Sequence, residues 1–135
     1  MHKALKVKHA VDEVLSRPEL NGVYRVSHAR FGFHPVIDGR SLGNKQALMA
    51  ALAQALDFPD YFGGNWDALE ECLRDMSWRD GQISVLIDHA DVVPQALLSE
   101  FIDLFLPLAM EWAKENRACS LFLCGLEKTE IPLLA

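Results

Sequence analysis

The stretch ISVLIDHADVVPQALLSEFIDLFLPLAMEWAKENRACSLFLC, residues 83–124, decides the fold. Its two ends, residues 83–87 and 119–124, are short apolar runs of strand length. Near-continuous apolar strands that are separated by a helix are typical of a parallel sheet covered on at least one face. The stretch therefore predicts an α/β protein in which a crossover helix joins two parallel strands.

The helix between these strands is predicted over residues 95–116. Its expected buried positions recur at helical spacing; they are Leu97, Leu98, Phe101, Leu104, Phe105, Leu108 and Trp112. Pro107 lies inside this pattern. Because proline lacks a backbone donor and clashes with the preceding turn, we expect it to kink or divide the helix.

The first 40 residues contain three further candidate elements. Apolar residues at roughly helical intervals predict a short helix over residues 5–16, which Pro18 cannot continue. Residues 22–26 alternate as an edge strand would. Residues 33–37 form a second extended candidate, which the turn pair Asp38-Gly39 closes.

A second helix is predicted after Asn44, a plausible N-cap. One apolar stripe runs along it before Phe58-Pro59 ends it; the stripe consists of Leu48, Leu52 and Leu56. The element order predicts a small α/β layer fold with right-handed crossovers. We expect a parallel sheet of about three core strands, with the N-terminal strand as a candidate addition at one edge.

Residues 57–80, DFPDYFGGNWDALEECLRDMSWRD, carry the strongest functional pattern. Gly63-Gly64 provides a turn and Asn65 can cap a new helix. At about 100° per residue from Asp67, one face of this helix is apolar and the other is charged. The apolar face comprises Leu69, Cys72, Leu73 and Met76, and the charged face comprises Asp67, Glu70, Glu71, Arg74 and Asp75.

This charged face has two interpretations. A solvated helix surface is the commoner meaning of a charge run. The alternative is a docking surface for a cationic partner, on which carboxylates and nearby aromatic residues steer and anchor association. The aromatic residues in question are Phe58, Tyr61, Phe62 and Trp66.

The length of 135 residues and the balance of 50% hydrophobic and 24% charged residues predict one soluble domain, residues 1–135. The net charge of −6 is unevenly distributed: residues 1–56 hold eight Lys or Arg against four Asp or Glu, whereas residues 57–135 hold five against fifteen. Phosphate binding needs cationic side chains, so we expect no nucleic acid partner. No apolar stretch predicts a membrane span or a signal peptide, and we expect a cytoplasmic protein.

Other chemistries have weak support in the sequence. Asp67 and Glu71 have the spacing of an acid and base pair, but an open helix face would keep both ionised. The three cysteines are odd in number and lack C-x-x-C spacing, which suits reduced core thiols; they are Cys72, Cys119 and Cys124. The five histidines show no metal-ligand spacing. We expect no cofactor, no metal, no small-molecule substrate and no catalytic residue.

The run FPDYFGGNWDALEECL, residues 58–73, closely resembles the motif of the barstar family, the intracellular inhibitors of secreted microbial ribonucleases such as barnase. The resemblance extends over about residues 34–125, and residues 1–30 form an N-terminal extension outside it. It implies a barstar-like fold and an inhibitor that lays the acidic helix and its preceding loop over a ribonuclease active site.

By position, the resemblance implies that Tyr61, Asn65 and Asp67 are partner contacts. It gives Glu71 the place of the dominant aspartate, and Glu111, on the last helix, the place of a further contacting glutamate. The full set of expected partner-binding residues is Tyr61, Phe62, Gly63, Asn65, Asp67, Glu70, Glu71, Arg74, Asp75 and Glu111.

The chain departs from the family pattern at several of these positions. Glu71 adds a methylene to the dominant aspartate, Glu70 replaces a tryptophan of the best-known member, and Arg74 places a positive charge on the contact face. Phe62 lacks a hydroxyl that some members have. A barstar-like interaction module or antitoxin with a basic partner other than a ribonuclease is therefore the alternative. An uncharacterised hydrolase using the acidic helix is the third hypothesis.

Overall fold

Four parallel strands form a single sheet in the computed structural model, which describes residues 9–28, 35–78, 81–127 and 130–134. The strands are β1 (Gly22–Val26), β2 (Val36–Asp38), β3 (Ile83–Asp88) and β4 (Cys119–Cys124). Their order across the sheet is β1-β4-β3-β2, and every neighbouring pair is parallel. The prediction of a small parallel α/β sheet is confirmed, with the N-terminal strand as the fourth member at one edge.

Four α-helices accompany the sheet in the described part of the chain: α1 (Val11–Ser16), α2 (Lys45–Ala55), α3 (Trp66–Asp75) and α4 (Gln95–Lys114). Short 3₁₀ turns lie at Pro18–Leu20, Gly39–Ser41 and Ala90–Val92. Within the described ranges, no helix is both long and apolar enough to cross a membrane.

The two central strands are buried on both faces, as their continuous apolar sequence predicts. Alternate residues such as Val85 and Leu121 belong to the main core with α2, α3 and α4. Leu86 and Phe122 point to the other face, where α1 contributes the buried Val14. Helices therefore cover both faces of the sheet, and the larger core lies on the side that carries α3.

The outer edge of β1 is covered by the C-terminal segment. The Arg25 N–H donates to the Pro132 carbonyl at 2.7 Å, and the Leu134 N–H donates to the Arg25 carbonyl at 2.9 Å. Just before β1, the buried Asn21 side chain donates to the Ala109 and Arg117 carbonyls at 3.0 and 2.8 Å. These bonds tie the N-terminal strand to α4 and to the segment that follows it.

Helix α4 is more continuous than its sequence predicts, and it ends at Lys114, two residues before the predicted end at residue 116. It runs without a break through Pro107, so of the two predicted effects of this proline, a kink or a division, the division does not occur. Pro107 is exposed, and its neighbours Phe105 and Leu108 are buried in the core. Tertiary packing of that face offsets the one backbone bond that proline removes. Six of the seven expected buried residues are buried, and Leu104 is half-buried.

The remaining element predictions differ mainly at their ends. Of the helix expected over residues 5–16, the described part begins at Val11, where the Glu13 carboxylate accepts from the Ala10 N–H at 3.0 Å. Residues 1–8 and residues 29–34 lie outside the described ranges, and β2 starts at Val36. Asn44 caps α2 as predicted, its Oδ1 accepting from the Ala47 N–H at 2.8 Å.

Candidate functional site

The loop that enters α3 is anchored by aromatic packing. Phe58 lies edge-on to Phe62, with ring centroids 4.9 Å apart, and edge-on to Trp78 at 5.8 Å. The Trp78 indole donates to the Leu56 carbonyl at 3.0 Å. Tyr61, next to the anchored Phe62, is 73% exposed. The packed aromatic rings thus hold the loop in a position that exposes Tyr61 to solvent.

Local backbone signals start α3 where the sequence predicts and end it at Asp75. Gly64 has a φ of 73°, a left-handed conformation that suits glycine. The Asn65 side chain then accepts from the Ala68 N–H at 2.8 Å, which confirms the predicted cap. At the other end, Met76 adopts a φ of 46° and its N–H donates to the Cys72 carbonyl. The helix is therefore confined to ten residues between two defined caps.

The two faces of α3 have the polarity that its periodicity predicts. Its inner face is buried; it comprises Leu69, Cys72 and Leu73, with Met76 at the cap. On the outer face Asp67, Glu71 and Asp75 are exposed, and they form no ion pair with another described residue. We call these three residues the open carboxylates. Their i, i+4 spacing concentrates negative charge along one line of the helix.

Arg74 joins the outer face of α3 to α4. Its Nε donates to Glu111 Oε1 at 3.1 Å and its Nη2 to Glu111 Oε2 at 3.0 Å, a bidentate pair. The same Nη2 donates to Glu70 Oε2 at 3.0 Å. These bonds hold the pKa of Glu111 below its ordinary value, and the two carboxylates raise the pKa of Arg74. We call Glu70, Arg74 and Glu111 the bridged triad.

An open hollow of about 660 Å³ lies between the loop and the outer side of α3. The loop contributes Tyr61, Phe62 and Gly63 to its lining. Helix α3 contributes Ala68, Glu71, Cys72, Arg74 and Asp75. The hollow thus combines aromatic and apolar walls with the carboxylates of Glu71 and Asp75 and with the guanidinium of Arg74. Its carboxylate side fits a cationic side chain with an apolar stem.

The structure brings the ten sequence-predicted site residues together in three connected parts. Six of them line the hollow: Tyr61, Phe62, Gly63, Glu71, Arg74 and Asp75. Glu70 and Glu111 join that group through Arg74. Asn65 and Asp67 occupy the N-terminal end of α3. Whether each residue contacts a partner stays a prediction.

Sequence reasoning missed two lining residues of the hollow, Ala68 and Cys72. Ala68 lies at about 100° on the helical wheel, beside Asp75 at about 80°. Its small side chain leaves space next to the charged face, and this is the signal in the sequence that indicates the hollow. The sequence pattern places Cys72 in the core alone. It is buried there, and it also forms part of the hollow's floor.

The described residues offer little support for catalysis or metal binding. The three thiols are free and buried. Burial raises the pKa of all three, that of Cys119 to about 12, so none is activated as a nucleophile. No group of three or more His, Cys, Asp or Glu within the described ranges could hold a metal ion. Asp67 and Glu71 both lie on the water-exposed side of α3.

Two comparisons with known proteins agree with this geometry. A family model described as "Barstar (barnase inhibitor)" matches residues 33–124. A protein of Bacillus subtilis (strain 168), named "Putative ribonuclease inhibitor YrdF", is 34% identical over 80 residues. That match covers 59% of this chain and 85% of the Bacillus protein. The loop, α3 and the Glu111 position all lie within the family match.

Proposed function

The chain belongs to the barstar family, and from that premise we propose that it is an intracellular inhibitor that binds a basic ribonuclease and occludes its active site. The surface that performs this is α3 with its preceding loop. The observation that carries the proposal is the line of open carboxylates beside a hollow that the exposed Tyr61 borders.

The chemistry of the target explains why such a surface inhibits. A ribonuclease must hold a phosphodiester backbone, so its active site presents cationic side chains. Asp67, Glu71 and Asp75 offer carboxylates to those cations at helical spacing, with the Cβ atoms of each i, i+4 pair about 6 Å apart. A carboxylate bound by an arginine of the enzyme occupies the place of an RNA phosphate.

The aromatic loop contributes a different part of the interaction. Tyr61 exposes a large, rather rigid ring, and tyrosine is enriched among residues that dominate binding energy at interfaces. Phe62 is held by Phe58, so the neighbouring backbone is positioned before the partner arrives. A preformed loop reduces the entropy lost on association.

The alternative function keeps the same surface and changes the partner. Arg74 places a cation on the face that would meet a basic enzyme, and Glu71 extends one methylene further than an aspartate would. Both features favour, as the second candidate, a barstar-like module or antitoxin whose basic partner is not a ribonuclease. On either proposal the protein acts by binding, without catalysis or a cofactor, and in the cytoplasm.

Inhibition titrations test the proposal directly. RNA cleavage by barnase and by other small secreted microbial ribonucleases is followed while the protein is added. We expect inhibition of at least one enzyme, weakened about tenfold or more in Glu71→Gln because charged interface pairs carry strong coupling. Glu100→Gln, an equally neutralising change at an exposed position of α4 outside the site, should inhibit like the parent protein.

Two results would count against the proposal. Absence of inhibition for every enzyme, at low salt and with protein in excess, would exclude ribonuclease inhibition within that panel and favour the alternative. Equal weakening by Glu71→Gln and Glu100→Gln would show that overall charge, rather than the face of α3, controls binding.

A further inference from the structure

The charged surface of α3 and α4 has two parts that differ in net charge. On one side the open carboxylates, Asp67, Glu71 and Asp75, have no described cationic neighbour in an ion pair. On the other side Glu70 and Glu111 share the guanidinium of Arg74. Lys114 also lies close enough to Glu111 to lower the pKa of its carboxyl. The first part is strongly negative, whereas the second is close to neutral.

The hydrogen-bond geometry of the bridged triad requires an arginine to neutralise Glu70 and Glu111 in this way. Arg74 donates to both oxygens of the Glu111 carboxylate and to one oxygen of Glu70. Such fork-like pairing is available to arginine and is not reproduced by lysine. A cation from a partner would have to compete with Arg74 for these oxygens, or approach against its charge.

We propose that Arg74 is a specificity-determining residue, which masks Glu70 and Glu111 from a cationic partner and restricts the partner's cations to the open carboxylates, including Glu71 and Asp75 at the hollow. This inference rests on the proposed function and deepens it. The ribonuclease that fits best carries a compact cationic cluster facing Glu71 and Asp75. Opposite Arg74 it carries a neutral or acidic group.

Arg74 should also exclude some basic partners. An enzyme whose cations extend over Glu70 and Glu111 would place positive charge against Arg74, and juxtaposed like charges disfavour a complex. Removing Arg74 should therefore broaden the range of basic partners. It should not unfold the protein, because the triad is solvent-exposed and exposed ion pairs contribute little to stability.

The chain offers a matched control for overall charge. Arg40 is also an exposed arginine that pairs with a carboxylate, Asp38, on a separate 3₁₀ turn. Arg74→Ala and Arg40→Ala each change the net charge from −6 to −7. Only the first of them uncovers carboxylates beside the hollow.

The experiment measures the affinity of each variant for two probes, a synthetic hexa-arginine peptide and barnase, at low and at physiological salt. Relative to Arg40→Ala, we expect Arg74→Ala to bind the peptide several-fold more tightly. We expect it to bind barnase about tenfold more tightly, mostly through a faster association rate, because exposed charges act chiefly on encounter. Adding Glu111→Gln to Arg74→Ala should remove much of the gain.

The outcomes separate this inference from the proposed function. If Arg74→Ala binds the peptide no better than Arg40→Ala, the masking role is wrong. If the parent protein binds barnase and Arg74→Ala binds it equally or more weakly, Arg74 positions Glu111 for the partner instead, and the inference is overturned. A gain for the peptide with no ribonuclease bound by any variant would support masking and contradict the proposed function.

Discussion

Replacing Asn65 with alanine tests whether the acidic face depends on the start of α3. Asn65 Oδ1 accepts from the Ala68 N–H at 2.8 Å, and the helix that it caps has only ten residues. Loss of such a cap costs about 1 kcal/mol, with a range of about 0.5–2 kcal/mol. Since Asn65 is exposed, water can reach the uncapped N–H, so we expect a cost near the middle of that range.

Asn44 provides a control with nearly the same geometry. Its Oδ1 accepts from the Ala47 N–H at 2.8 Å, from an equally extended backbone, and it caps α2, which contributes nothing to the hollow. Asn44→Ala and Asn65→Ala should each lower the free energy of unfolding by about 1 kcal/mol. For a chain of this length that lowers Tm by roughly 3–5 °C.

The two variants should differ at the binding surface. A cost of about 1 kcal/mol confined to α3 opens its first turn about fivefold more often. Hydrogen exchange of the amides of residues 68–70 should therefore accelerate in Asn65→Ala and not in Asn44→Ala. Affinity for the inhibited ribonuclease should fall in Asn65→Ala alone, because Asn65 caps the binding helix and is itself an expected partner contact, whereas Asn44 is neither. Asn65→Asp, which retains a capping oxygen, should restore the stability.

The pair of cap variants can also refute this reasoning. Equal losses of affinity in Asn44→Ala and Asn65→Ala would show that global stability, rather than the order of α3, controls binding. Unchanged exchange in the first turn of α3 would show that the Asn65 cap does not hold the helix.

Three further predictions follow from burial and close contact. Glu71→Ala should weaken partner binding far more than folding, because Glu71 is exposed. Parallel urea unfolding and binding titrations would check this. Equal losses of stability and affinity would contradict the position of Glu71 on the exposed face of α3. Gly39→Ala should destabilise the protein by about 1–3 kcal/mol, because its Cβ would clash with the His89 carbonyl oxygen. Gly43→Ala meets no atom within 4 Å, so thermal unfolding should separate the two variants. The folded pKa of Cys119 is raised to about 12, above the value of about 8.5 for an unfolded thiol, so the stability from its neutral form is complete below about pH 8.5 and declines as pH rises toward 12. Urea unfolding at increasing alkaline pH should show this decline, and a smaller decline in Cys119→Ala.

Much of the fold follows from local signals along the chain. The apolar runs at 83–87 and 119–124 predict the central strands, because a strand buried on both faces needs apolar residues at most positions. The caps Asn44 and Asn65 predict where α2 and α3 begin, since each side chain satisfies a backbone donor three residues on. These elements are determined by residues close in sequence.

The parts that the sequence did not predict depend on distant contacts. Pro107 does not divide α4, because burial of Phe105 and Leu108 against the core outweighs the lost backbone bond. The pairing of Arg74 with Glu111 joins residues 37 positions apart, and no periodicity along the chain encodes it. Family resemblance placed Glu111 in the site, but only the packing of α3 beside α4 gives it Arg74 as a neighbour.

The central claim is that α3 and its loop occupy the substrate site of a ribonuclease. Displacement of a labelled, uncleavable oligonucleotide from barnase, or from the enzyme that the inhibition panel identifies, tests this most directly. We expect one equivalent of the protein to displace the oligonucleotide completely. The Asp67→Asn, Glu71→Gln double variant should displace it only when added in large excess. An oligonucleotide that stays bound while the protein also binds the enzyme would contradict the central claim.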